Sequence, residues 1–211
     1  MYINTRKTKL TFLIQSNTVN IENYTIKDIP GSSGRLDVVA RCILAAVMND
    51  YGFDKNVQII IFFKRYGGFK FNPNKLNFKS FPKDELQLSD ALFHLIMNRH
   101  NENYLQNNPM GSIKQIKNSM IRYIKKTQQQ KENIIFVLKE TPKKLIDSIE
   151  KLRKLSKNRH LIFIVGNQSE DFINSEDFNN LNLQEISLGS QSYLASSVMR
   201  LVKLNLHHLK S

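Results

Sequence analysis

Val57 to Phe63 reads Val-Gln-Ile-Ile-Ile-Phe-Phe, six apolar residues in seven positions, and no other run restricts the fold as much. A half-buried strand alternates apolar and polar residues; this one has no polar face, so both of its sides must be covered. Further strands are expected at Leu10 to Gln15, Ile134 to Leu138, Leu161 to Val165 and Leu183 to Leu188, with a hairpin arm around Phe69 to Phe71 after a turn at Arg65 to Gly68. Helical spacing of apolar residues occurs in Leu36 to Asp50, Lys83 to Asn98, Ile113 to Ile124, Pro142 to Ser156 and Ser192 to Leu209. Pro82 and Pro142 stand where prolines start helices. The alternation predicts an α/β fold, a mostly parallel sheet covered by helices. A chain of 211 residues has room for one sizeable core, a single domain over 1–211.

Two loop regions carry the chemistry. Ser16 to Gly34 is a long loop rich in Asn, Thr, Gly and Ser, and loops of that length inside a compact domain are commonly functional. It ends in Pro30-Gly31-Ser32-Ser33-Gly34-Arg35-Leu36-Asp37, a glycine-hinged helix start with Arg35 and Asp37 in the first turn. A polar pair held there can meet a substrate. The structural alternative is a helix-capping Asp37 paired with Arg41 at i+4. Near the other end, Leu161 to Val165 runs into Gly166-Asn167, and Gln184 to Leu188 into Gly189-Ser190. Buried strands that deliver the chain to Gly-containing loops mark the ligand edge of open α/β sheets. Neither loop has GxGxxG or GxxxxGK[ST], which excludes the common nucleotide-phosphate cradles.

Charge narrows the partner. The chain has a net charge of +13 and a pI near 9.8. Lys114 to Arg159 holds 14 Lys or Arg against 4 acids, a local +10, whereas the residues from His160 onward sum to −2. The middle of the chain is therefore the expected polyanion face, and a solvated Lys-rich surface is the alternative. Its candidate contacts are Lys114, Lys117, Arg122, Lys125 and Lys126 on a basic amphipathic segment, together with Arg41. No apolar run reaches membrane-span length and no signal-peptide core is present. The single Cys42 lies in a helical apolar pattern, reading as buried packing in a reducing, cytoplasmic protein. His94, His100, His160, His207 and His208 lack metal-ligand spacing, so no metal is expected.

The order Pro-Gly-Ser-Ser-Gly-Arg-Leu-Asp, then strand-Gly166, then Ile186-Ser187-Leu188-Gly189 with an apolar tail resembles the SPOUT methyltransferases. Within them it is most similar to the archaeal tRNA pseudouridine-54 N1-methyltransferase group and its bacterial relatives. The likeness runs from about Asp28 to the end and is sparse between Lys55 and Gln130.

That resemblance implies a carboxyl-terminal trefoil knot, a homodimer seamed by the last helix, and S-adenosylmethionine as cofactor. It places the cofactor at Leu138, Gly166, Ile186, Ser187, Leu188, Gly189 and Val198. It implies transfer of methyl to RNA, at N1 of a pseudouridine in tRNA or rRNA; that chemistry calls for a carboxylate to take or orient the proton and a cation for developing oxyanion charge, and Asp37 and Arg35 are the candidates. The apolar stripe Leu194, Val198, Leu201, Val202 and Leu209 suits a dimer seam or packing within one subunit. The chain departs from the archaeal pattern in having Gly166-Asn167-Gln168 for Gly-Asp-His, and Tyr193-Leu194-Ala195-Ser196-Ser197 for Leu-His-Ala-Asn-His. Both changes remove ionisable groups, so an RNA-binding protein of this scaffold without catalysis is the alternative function. A protein-interaction module is a third class, with no motif in its support.

Overall fold

A computed structural model describes residues 8–107, 110, 112–140, 152, 155, 159–166, 172–189 and 191–207. The strands are β1 (Lys9–Ser16), a two-residue pair β2 (Met48–Asn49) and β3 (Gly52–Phe53), β4 (Val57–Phe63), β5 (Gly67–Phe71), β6 (Lys114–Ile116), β7 (Asn133–Lys139), β8 (His160–Val165) and β9 (Gln184–Ser187), and the expected apolar runs supply β1, β4, β5, β7, β8 and β9. All but β2 and β3 join one seven-stranded sheet in the order β6-β5-β4-β1-β8-β7-β9. β4, β1, β8, β7 and β9 are parallel, and β5 and β6 extend one side as antiparallel strands.

β4 is buried along its length, as its composition demands. On one side of the sheet Phe12, Ile59, Ile61, Phe136 and Phe163 pack against the helices Leu36–Val47, Glu85–Met97 and Ala195–His207. On the other, Leu13, Ile60, Phe62, Ile135 and Ile164 pack under the helix Met120–Gln128 and the short helix Glu176–Asn179. Side chains that alternate across the strands thus feed two separate apolar layers.

Several expected boundaries move. The first long helix stops at Val47, where Met48 turns extended to pair with Phe53. The second begins at Glu85, because Asp84 Oδ1 accepts from Gln87 N–H at 2.8 Å and caps it. The helix expected from Ile113 is instead the edge strand β6 followed by a helix that starts at Met120 behind a Ser119 cap, so Lys114 and Lys117 leave the helix while Arg122, Lys125 and Lys126 stay on it. The last helix is described over Ala195–His207. The helix expected at Pro142 to Ser156 lies outside the described residues apart from Leu152 and Leu155.

His160 opens β8 as a packing residue. Its Nε2 lies 2.7 Å from Thr11 Oγ1 and its Nδ1 3.0 Å from Asn133 Oδ1, a pairing the neutral ring satisfies with one donor and one acceptor. Burial, then the nearby Lys70 and Lys9, push its pKa down to about 4 from 6.5, against a smaller opposing pull from Glu132. The unfolded chain therefore takes up this proton first, and stability falls as pH drops from 6.5 towards 4. Urea unfolding across that window should show a shallower fall for His160→Gln than for the parent; equal slopes would remove His160 as the cause.

Candidate active site

The parallel strands all point their carboxyl ends the same way, and there a cavity of about 810 Å³ opens. Its walls come from the ends of β1 (Ile14, Ser16), β7 (Leu138, Lys139) and β8 (Val165, Gly166), from Leu188 and Gly189 after β9, and from both the Leu36–Val47 and the last helix. A crevice outside the carboxyl ends of parallel strands is the ligand position of open α/β sheets.

Of the residues named from sequence, the structure brings Leu138, Gly166, Leu188, Gly189, Val198, Arg35 and Arg41 together on this one cavity. Ile186 and Ser187 are buried beneath it. Ser187 Oγ accepts from Gly189 N–H at 3.1 Å and shapes the turn, while Gly189 has φ 108°, a backbone that disfavours side chains. A Cβ at Gly189 would meet nothing within 4 Å, so the space there is open to a ligand.

The facing wall begins at Gly34. Its φ is 61°, and a Cβ would stand 2.0 Å from Thr18 O, so only glycine fits where the loop after β1 crosses. Thr18 Oγ1 donates to Gly34 O at 2.8 Å, and Ser33 Oγ accepts from Leu36 N–H, the first amide of the helix, at 3.0 Å. Arg35 follows at φ 75°, a left-handed backbone uncommon outside glycine and typical of strained functional positions.

The side chains hold it there. Arg35 Nε and Nη2 donate to Asp37 Oδ1 and Oδ2 at 3.1 and 3.0 Å, a fork-to-fork pair that raises the already high pKa of the guanidinium. Arg41 Nη2 stands 3.7 Å from the same carboxylate. Arg41 in turn donates through Nε and Nη2 to Glu85 at 2.8 Å each. The result is an alternating ladder, Arg35-Asp37-Arg41-Glu85, with both arginines lining the cavity and Asp37 itself only 5% exposed and off its lining. Among the described residues nothing accepts from Nη1 of either arginine.

Lys203 ties the two walls together. It is buried and donates to the carbonyls of Ala45, Ala46 and Met48 at 3.2, 2.9 and 2.6 Å, filling the acceptors left at the end of the Leu36–Val47 helix, with Asp54 at 3.8 Å. The apolar face that meets that helix includes Met199, Val202 and Leu206, so Val202 belongs to the subunit's own core. Leu194 and Leu204 stay exposed, and Leu209 lies outside the described residues. Cys42 lines the cavity but is buried, and burial pushes its thiol up to about 12, as suits a packing residue.

Sequence reasoning missed Glu85, Lys203 and the tie from Ser192 Oγ to Glu140 at 2.9 Å across the cavity mouth. Asn167 and Gln168 lie outside the described residues, whereas Tyr193 and Ser196 line the cavity. Arg122, Lys125 and Lys126 are exposed on the helix of the opposite sheet face, and Lys114 and Lys117 at the far edge, so Arg41 alone of the basic candidates reaches the cavity. Among the described residues no group of His, Cys, Asp or Glu could hold a metal, and no helix is long and apolar enough to cross a membrane.

The model of the family described as "Putative SAM-dependent RNA methyltransferase" matches residues 10–211. The tRNA (pseudouridine(54)-N(1))-methyltransferase of Thermococcus onnurineus is 23% identical over 208 residues, covering 92% of this chain and 95% of the relative. The protein of the same name from Thermococcus kodakarensis is 32% identical over 80 residues, 37% of this chain and 38% of its own length. Among solved structures, Archaeoglobus fulgidus Nep1 bound to S-adenosylhomocysteine shares the fold, with a TM-score of 0.62 at 13% identity over 97% of this chain and 99% of that one.

Proposed function

The chain belongs to the SAM-dependent RNA methyltransferase family, and from that membership we propose that it methylates N1 of a pseudouridine, in tRNA before rRNA. The carrying observation is the meeting, on one cavity, of the three loops at Leu138, Gly166 and Leu188-Gly189 with the paired Arg35. The curated relatives with full-length coverage and local matches alike bear the pseudouridine-54 name, which supports the same substrate here.

The residues present fit the cofactor. Leu138, Val165, Leu188 and Val198 give apolar contact for a flat base, and Gly166 and Gly189 keep side chains out of the space. We read these loops as the place where the family's trefoil knot is drawn. S-adenosylmethionine supplies an electrophilic methyl group on a sulfonium, so the protein's work is positioning and charge.

Arg35 is the cation for that work. Its Nη1 edge, from which no described residue accepts, can face the carbonyl oxygen beside N1 and stabilise the charge that appears there as the nitrogen gives up its proton to solvent water. Asp37 is better placed to aim Arg35 than to take a proton, since Arg35 occupies both of its oxygens. Arg41, aimed by Glu85, is placed to meet a phosphate of the same RNA strand, and Lys117, Arg122, Lys125 and Lys126 to meet more distant phosphates. Leu194 and Leu204, 59% and 53% exposed, offer an apolar face for a homodimer. A cytoplasmic location, where such an enzyme would meet its RNA, is part of this proposal.

Scaffold without catalysis is the second reading, favoured by Leu194 on the cavity wall at a position where the family pattern carries a histidine. Purified protein, incubated with methyl-labelled S-adenosylmethionine and bulk tRNA, should pass label into RNA. Cofactor and RNA binding without any transfer would shift the assignment to the scaffold.

A further inference from the structure

A cluster of positive charge sits away from the cavity, assembled from four separate places in the chain. Lys70 on β5 lies opposite Lys114 on β6 and opposite Ile60 on β4, which lies opposite Leu13 on β1. Cross-strand partners share a face, so Lys70 and Lys114 belong to the side of the sheet that carries Leu13 and Ile60. Lys9, four residues before Leu13, points to the same side by the two-residue period of a strand. Lys75 closes the short turn Pro73–Lys75 just after β5.

No described carboxylate forms a salt bridge with any of the four lysines. Burial, then Lys114, Lys75 and Lys9, lower the pKa of the half-buried Lys70 ammonium. Residues 1–7 add Arg6 and Lys7 and no acid to the adjoining sequence. Gathering like charges with no salt-bridge partner among the described residues costs stability, so the cluster suits a polyanion rather than the fold. Seven residue steps separate Lys9 from Ser16 at the cavity, about 23 Å along an extended strand. A single nucleotide cannot touch both places; a folded RNA can.

We infer that Lys9, Lys70, Lys75 and Lys114 form a second RNA contact surface, one that holds the phosphate backbone of a folded RNA at a distance from its target nucleotide. The inference rests on the RNA-methyltransferase reading and extends it to the RNA's overall shape. Contacts of this kind give affinity and salt dependence without sequence selection.

The test compares a full-length tRNA transcript with a stem-loop trimmed to the arm that carries the target, both binding to protein saturated with S-adenosylhomocysteine. Lys9→Gln/Lys70→Gln/Lys75→Gln should weaken the full-length RNA about 10-fold or more and flatten its log-log salt slope by about 3, while the stem-loop keeps its affinity. Lys9→Gln/Lys75→Gln, which changes only exposed side chains, should flatten the slope by about 2 and serves if the triple variant folds poorly. An unchanged slope, or equal weakening of both RNAs, overturns the second surface. A parent protein that binds neither RNA overturns it as well, and calorimetry with S-adenosylhomocysteine then still judges the cofactor cavity by itself.

Discussion

Asp37→Asn lowers turnover by about 10²-fold or more, with affinity for S-adenosylmethionine nearly unchanged; this is the expected result of releasing Arg35, since one oriented donor at a developing oxyanion is worth about that much. Asn keeps the size of Asp but loses the charge and one of the two acceptors that take Nε and Nη2 of Arg35. Arg35→Ala should cost a similar factor, and the double variant little more than either single one, because the pair acts as a unit. Arg35→Lys should not rescue, since an ammonium cannot make the forked pair and still offer a second edge. The pH-rate profile separates the two roles open to Asp37. A positioning residue leaves the shape of the profile intact in Asp37→Asn; loss of its acid limb would return Asp37 to the role of base.

Gly166→Val abolishes binding of S-adenosylmethionine at millimolar concentration, measured by calorimetry on a variant whose thermal unfolding remains cooperative. A Cβ at Gly166 stands 3.2 Å from Ile173 Cδ1, tight but yielding, so a methyl there could be absorbed by a rotation of Ile173. The two further methyl groups of Val have no such outlet and enter the cavity that Gly166 lines. Gly166→Ala should therefore weaken binding by a smaller factor. Full-strength binding by Gly166→Val would take this loop out of the cofactor site.

The sheet was legible because its strands are near-continuous apolar runs. Val57 to Phe63 allowed one environment only, and the glycines after Val165 and Leu188 marked the edge where the cavity opens. The edge strand Lys114–Ile116 was not legible: Ile113, Ile116, Met120 and Ile124 keep helical spacing across a strand, a turn and a helix start, and the Ser119 cap was the one local sign of the break. Arg35 and Asp37 were recognisable at a helix start, but the forked hydrogen bond that joins them is a matter of rotamers. The Arg41–Glu85 pair joins residues 44 apart with nothing local to announce it. Lys203 lies in an apolar stripe and would be read as solvent-facing; its burial depends on three carbonyls more than 150 residues earlier, two in the last turn of a helix and one at Met48 just past it.

Nucleoside mass spectrometry of the reaction product tests the central claim most directly. Two tRNA transcripts, identical except for pseudouridine or uridine at the target, are incubated with the protein and S-adenosylmethionine, then digested to nucleosides. The site described above predicts a singly methylated pseudouridine from the first and no methylated nucleoside from the second. Methylation of both transcripts alike, or of neither by a protein that binds the cofactor and the RNA, would contradict it.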